Sequence, residues 1–209
     1  MNIETLIVGV FQVSCYVVWS KSKDAIIIDP GADADVIRRF MAGRELTAAA
    51  YLLTHGHVDH ISALADLFDS APAPIALHAA DLKWAFEGDN QMPPFYGVPR
   101  RPSQIARTPD DGMEYSDAGL TYKVITSPGH SPGSVCFYFK DEDVLFTGDT
   151  LFAGSVGRTD LPGGNTRKLG TSLKKIAGLF PDKTLIYPGH GPSSNLGLEK
   201  QTNYFMQTL

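Results

Sequence analysis

Thr54-His55-Gly56-His57-Val58-Asp59-His60 packs four residues with metal-binding side chains into six positions, from His55 to His60. Imidazole and carboxylate suit zinc and the other first-row divalent ions. The spacing is too dense for one face of a helix and suits a turn whose side chains converge. The run before it, Ala48 to Thr54 (AAAYLLT), is a candidate buried strand, and the apolar residues after it, Ile61, Leu64, Leu67 and Phe68, recur as on a helix. The cluster is therefore expected at a strand-to-helix junction. Taken alone, a solvated polar turn would also account for it.

Three more candidates lie further along, each after a strand-like run and beside glycine: His130 in SPGHSPG, Asp149 in TGDT and His190 in YPGHGP. Glycine lets the backbone bend sharply and leaves room beside an ion. Five of the six histidines occupy such positions. The sixth, His78 in IALHAAD, has neither glycine nor carboxylate next to it and reads as an ordinary strand-end histidine.

Around these motifs the chain alternates strands with helices. Leu6 to Val10, Cys15 to Trp19 and Ala25 to Ile28 read as strands, the last closing at Asp29-Pro30-Gly31, and Asp33 to Phe40 reads as a short helix with Asp33 or Asp35 as its cap. Ile75 to His78 is a further strand and Asp81 to Phe86 a helix. Leu120 to Thr126, Ser134 to Phe139, Val144 to Thr147 and Thr184 to Tyr187 repeat the strand pattern, and Lys168 to Phe180 has helical periodicity. This order predicts two packed sheets with helices outside. Residues 88 to 109, with five prolines, show no period and are read as an ordered excursion, whose Phe95 and Tyr96 are candidate substrate contacts or simple packing residues.

Composition narrows the class. A chain of 209 residues, 43% hydrophobic, fits one domain spanning 1–209. The net charge of -5 argues against a nucleic-acid partner, which needs clustered Lys and Arg. No apolar run reaches the length of a membrane span, and the start MNIETLIVGVFQ lacks the basic residues and cleavage site of a signal peptide, so a cytoplasmic protein is expected. Cys15 and Cys136 lie far apart within apolar runs and read as packed strand residues. Oligomeric state is not legible.

In order, THGHVDH, PGHSPG, GDTLFAGSVGRTDLPGG and YPGHG resemble the metallo-β-lactamase superfamily, and within it the short glyoxalase II-like hydrolases; Asp29-Pro30-Gly31 and the tail GPSSNLGLEKQTNYF extend the similarity over nearly the whole chain. The resemblance implies an α+β fold, an αββα four-layer sandwich with the metal site at one edge of the two sheets. It implies two divalent metal ions, zinc first, with iron or manganese as alternatives. His55, His57 and His130 would hold one ion, Asp59, His60 and His190 the other, and Asp149 would bridge them. The implied reaction is hydrolysis of a small thioester such as S-D-lactoylglutathione by a metal-bridging hydroxide, with Asp59 as a further candidate for taking a proton. Asp29 would support the histidine loop or form a turn, and Arg158 would orient the substrate or pair with Asp160.

The resemblance leaves alternatives. Glyoxalase II enzymes carry an added C-terminal helical segment that grips glutathione, whereas this chain runs to Leu209, so the thiol carrier is open and residues 88 to 109 are a candidate substitute. A mononuclear iron persulfide dioxygenase on the same fold would use His55, His130 and Asp149. A lactonase fits the same residues; β-lactamases generally lack the bridging aspartate.

Overall fold

The central strands of this protein, such as Val13–Trp19, Asp24–Ile28, Val135–Phe139 and Val144–Gly148, are apolar on both faces because they are covered on both sides. The computed structural model describes residues 1–208. Its first sheet has the order β1 (Asn2–Val8), β2 (Val13–Trp19), β3 (Asp24–Ile28), β4 (Thr47–Leu52), β5 (Ile75–Ala76). The second contains β6 (Glu114–Asp117), β7 (Leu120–Thr126), β8 (Val135–Phe139), β9 (Val144–Gly148), β12 (Leu185–Pro188) and β13 (Ser194–Asn195), in the order β13-β12-β9-β8-β7-β6. A small hairpin, β10 (Leu151–Phe152) with β11 (Ser155–Val156), stands apart from both.

Side-chain alternation sorts the core into three layers. In β3, Ala25 and Ile27 point to α1 (Ala34–Gly43), α2 (Val58–Ile61) and α3 (Leu64–Ser70), in one cluster with Ile37, Met41, Ile61, Leu64 and Leu67. Ile26 and Ile28 point the other way, onto Tyr122, Val124, Phe137 and Phe146 of the second sheet. On that sheet's outer face, Cys136 and Leu145 pack under α5 (Thr166–Leu179), α6 (Leu196–Thr202) and α7 (Tyr204–Gln207). The order helix, sheet, sheet, helix is the expected αββα sandwich. Its central layer is rich in large rings, so truncating Phe137 to alanine should cost ~3–5 kcal/mol. Both cysteines are buried and unpaired, as expected.

Several local expectations are corrected. The first strand ends at Val8, not Val10, because Gly9 and Gln12 adopt left-handed backbone conformations and turn the chain. Neither Asp33 nor Asp35 caps α1 through its side chain: the Asp33 carboxylate accepts the Gly9 N–H at 2.8 Å, and Asp35 pairs with Arg38. The helix expected from Asp81 begins earlier, as α4 (Ala79–Leu82), with His78 Nδ1 accepting the Ala80 N–H at 3.2 Å as its cap. Residues 88 to 109 are irregular, and their end pairs beside β5 through hydrogen bonds between Arg107 and Ile75 and between Leu77 and Arg107. No helix among the described residues is long and apolar enough to cross a membrane.

Parallel pairing fixes where the polar motifs emerge. β3 and β4 run parallel, so Asp29 and His55 leave the first sheet at the same end; β9 and β12 do the same for Asp149 and His190. The two sheets are stitched there by backbone hydrogen bonds, Ser14 N–H to Gly189 O and Val135 N–H to Thr54 O, both 2.8 Å.

Candidate metal centre

At that end the seven predicted side chains meet, in two groups. His55, His57 and His130 form one and Asp59, His60 and His190 the other, the candidate ligand atoms of each group lying within 4.8 Å of one another. Asp149 lies between them. Its Oδ2 is 3.4 Å from His130 Nε2 and 3.6 Å from His190 Nε2, and its Oδ1 is 3.4 Å from His60 Nε2.

The outward nitrogen of four rings is held by an acceptor, which turns the other nitrogen inward. His130 Nδ1–H donates to Arg158 O at 2.8 Å and His190 Nδ1–H to Phe11 O at 3.0 Å. His60 Nδ1 faces Asp29 Oδ2 at 3.0 Å, and His55 Nδ1 faces Thr54 Oγ1 at 3.1 Å. Asp29 in turn accepts the Thr54 N–H at 2.8 Å and the Thr54 hydroxyl at 2.6 Å, so one buried carboxylate orients His60 directly and His55 through Thr54.

The inward nitrogens crowd together. His57 Nδ1 and His130 Nε2 are 2.8 Å apart, and His60 Nε2 and His190 Nε2 are 3.3 Å apart. Two buried atoms at the centre, His55 Nε2 and Asp149 Oδ1, have no hydrogen-bond partner. A buried polar group left so costs free energy unless something pairs with it. Neutral imidazoles and carboxylates aimed at a common point are a donor set that fits divalent cations.

Electrostatically the groups differ. Burial, then the neighbouring imidazoles, hold His55 well below the ordinary histidine pKa, and burial followed by His130 pushes His57 down to about 3. For His60 burial works in the same direction but is outweighed by Asp149, Asp59 and Asp29, which raise it to about 10. His190 is also raised, Asp59 and Asp149 overcoming its burial. Burial would lift the Asp59 carboxyl, yet His60 and His190 bring it well below the usual carboxylate range.

Glycines make the convergence possible. A Cβ on Gly189 would strike Asp149 Oδ1 and come within 2.7 Å of His60 Cε1. Gly148 has a left-handed φ of 48°, and a Cβ there would press into Thr54.

Above the ligands lies a cavity of about 440 Å³ walled by Phe11, Met92, Phe152, Val156 and Leu161, with Arg158 on its lining. A larger hollow of about 770 Å³ between β6–β8 and the end of α5 includes no member of either group. Arg158 is exposed and held by Asp160 in two 2.7 Å hydrogen bonds, so the cavity contact and the ion pair both exist. Phe95 and Tyr96 do not line the cavity. Both pack on Phe11, at ring distances of 5.7 and 5.4 Å, Phe95 exposed and Tyr96 buried; Met92 is the residue of that stretch that reaches the cavity.

Sequence reading missed the backbone carbonyls of Phe11 and Arg158, which carry no side-chain signature. It also missed two buried supports, Asp81 and Asn90. Asn90 accepts the Val58 N–H at 3.1 Å and donates to Gly56 O at 2.8 Å, fastening the histidine turn from the irregular stretch.

A family model described as the metallo-beta-lactamase superfamily matches residues 8–190. The chain is 33% identical over 213 residues to hydroxyacylglutathione hydrolase GloC of Haemophilus influenzae, covering 100% of this chain and 99% of that protein. Among solved structures, BLEG-1 B3 metallo-beta-lactamase superposes with a TM-score of 0.90 at 35% identity, covering 98% of this chain and 99% of that one. TTHA1623, solved in a di-iron-bound form, superposes with a TM-score of 0.85 at 36% identity, covering 97% and 99%.

Proposed function

Since this chain belongs to the metallo-beta-lactamase superfamily and brings a complete set of His and Asp ligands to one sheet edge, we propose that it is a binuclear metallohydrolase that cleaves small thioesters such as S-D-lactoylglutathione. The observation that carries the reading is the placement of Asp149 between two groups of three candidate ligands. The full-length likeness to GloC supports the substrate class. His55, His57 and His130 would hold one ion, Asp59, His60 and His190 the other, and Asp149 both. Divalent cations bound there supply a water ionised near neutral pH and polarise the carbonyl under attack. Zinc, iron and manganese all suit the donors.

The chain's own residues do the rest. Asp29, Thr54 and the carbonyls of Phe11 and Arg158 fix the orientation of the imidazoles. Phe11, Met92, Phe152 and Leu161 shield the acyl group from bulk water. Arg158 offers a guanidinium to a carboxylate or carbonyl of the substrate, at the cost of its pairing with Asp160. Asp59 lines the cavity and is a second candidate for taking a proton from the water, a weak base because His60 and His190 hold it ionised and because it would also hold a metal. No nucleophilic serine or cysteine is required, and both cysteines lie buried in the core. We place the enzyme in the cytoplasm, acting on a small molecule and not on nucleic acid.

The likeness to BLEG-1 favours a second reading, hydrolysis of a β-lactam amide at the same site. One experiment separates the readings: turnover under nitrogen of S-D-lactoylglutathione, of a simple lactone and of a β-lactam, beside oxygen uptake with glutathione persulfide. Thioester turnover exceeding the others is the expected result. Preferred cleavage of the β-lactam or lactone would replace the substrate class. Oxygen uptake with one iron per chain and no hydrolysis would replace the reaction.

A further inference from the structure

Asp81 is wholly buried, 0% exposed, on the short helix α4, and its carboxylate hydrogen-bonds to Gly56, Ser131 and Gly133, not to the side chain of a candidate ligand. Its two carboxylate oxygens nevertheless bind the loops that carry five of the seven candidate ligands, at points flanked by His55, His57 and His130. Oδ2 accepts the Gly56 N–H at 2.9 Å, between His55 and His57, and the Ser131 hydroxyl at 2.6 Å, next to His130; Oδ1 accepts the Gly133 N–H at 2.6 Å. The loops it joins are some 75 residues apart in sequence. A buried carboxylate is costly to keep unless its acceptors are satisfied, and here three donors from two loops satisfy it.

Close packing repeats the pattern. A Cβ on Gly133 would lie 2.7 Å from Asp81 Oδ1 and 2.8 Å from its Cγ, and a Cβ on Gly56 would lie 3.1 Å from Asp81 Cβ. Gly133 thus makes room for this side chain, and Gly56 for it together with Ala85 and Trp84. The other group of ligands has a support of its own: Asp29 contacts His60 directly and reaches the first group only at His55, through Thr54.

We propose that Asp81 is a positioning residue for the His55–His57–His130 metal site alone, a clamp that sets the distance between the two loops and so the affinity of that one ion. The proposal rests on reading these residues as metal ligands. Removing the clamp frees the loops to drift, which weakens an ion that needs all three imidazoles at once, while the Asp59–His60–His190 site keeps its own supports. Outer supports of this kind typically change metal affinity by about 10- to 100-fold.

The test is titration of the metal-free protein with cadmium, followed by cadmium NMR, for the natural protein and for Asp81→Asn. Resonances are assigned by their loss in His55→Ala and His190→Ala. Natural protein should give two resonances. In Asp81→Asn, whose amide cannot accept both backbone N–H groups, the His55–His57–His130 resonance should require about 10- to 100-fold more cadmium while the other fills as before. Ser131→Ala removes one of the three hydrogen bonds and should weaken the same site by a smaller factor, which keeps the test open if Asp81→Asn fails to fold. Equal weakening of both sites together with a lowered melting temperature, or no change at either, overturns the proposal. Natural protein that takes up fewer than two cadmium ions overturns the metal reading and the proposal with it.

Discussion

The two halves of the metal centre are built from similar rings and held in opposite electrostatic states. Around His55, His57 and His130 burial and the neighbouring imidazoles outweigh the nearby carboxylates and keep His55 and His57 neutral. Around His60 and His190, Asp59, Asp149 and Asp29 outweigh the same burial and draw positive charge. Desolvation disfavours the charged form of any histidine; whether it prevails depends on the carboxylates within reach. A cation is thus offered neutral nitrogen donors on one side and an anionic pocket on the other.

Asp149 belongs to both halves, so its loss should have the largest effect. Asp149→Ala is expected to lower both metal occupancy and kcat/KM, the latter by about 10³-fold or more, corresponding to several kcal/mol of lost transition-state stabilisation. Elemental analysis and steady-state kinetics on the variant check this. Full occupancy in Asp149→Ala would show that the halves are independent.

Supports should matter less than ligands. Asp29→Asn leaves every ligand in place but removes the carboxylate that His60 and Thr54 share, and should weaken metal retention against a chelator by about 10- to 100-fold, more at the Asp59–His60–His190 site, which it contacts directly, than at the other, which it reaches through Thr54 and His55. A uniform loss at both sites would mean that Asp29 serves the fold and not one half. Gly189→Ala tests close packing at the point where the halves touch: its methyl would collide with Asp149 and crowd His60, at a cost of ~1–3 kcal/mol measured by denaturant unfolding of the metal-free protein. The smallest effect belongs to the rim. Asp160→Asn breaks an exposed pair with Arg158 and should change stability by less than ~1 kcal/mol while lowering KM for a carboxylate-bearing thioester, because the guanidinium is released toward the cavity.

The candidate ligands are plainer in the sequence than the groups that support them. Both ligand groups are readable, since each side chain lies in a short glycine-flanked motif at a strand end, and the strands that deliver them are continuous apolar runs that only a doubly covered sheet explains. Asp29 is readable too, because Asp-Pro-Gly closes a strand. Asp81 and Asn90 are not: they lie in a helix and an irregular stretch with no signature, and reach Gly133 and Val58 only once the chain has folded over 52 and 32 residues. The carbonyls of Phe11 and Arg158 are invisible because any residue has one. Polar β6 and the short α6 and α7 escape a reading based on apolar period, although Asn195 and Asn203 cap those helices by accepting from Leu198 and Phe205.

Metal content per chain tests the central claim most directly. Elemental analysis of protein purified without added metal and then equilibrated with zinc should give two ions in the natural protein, one in His55→Ala and one in His190→Ala. A natural protein that binds a single ion, or a His190→Ala variant that still binds two, would contradict the account of two distinct sites joined at Asp149.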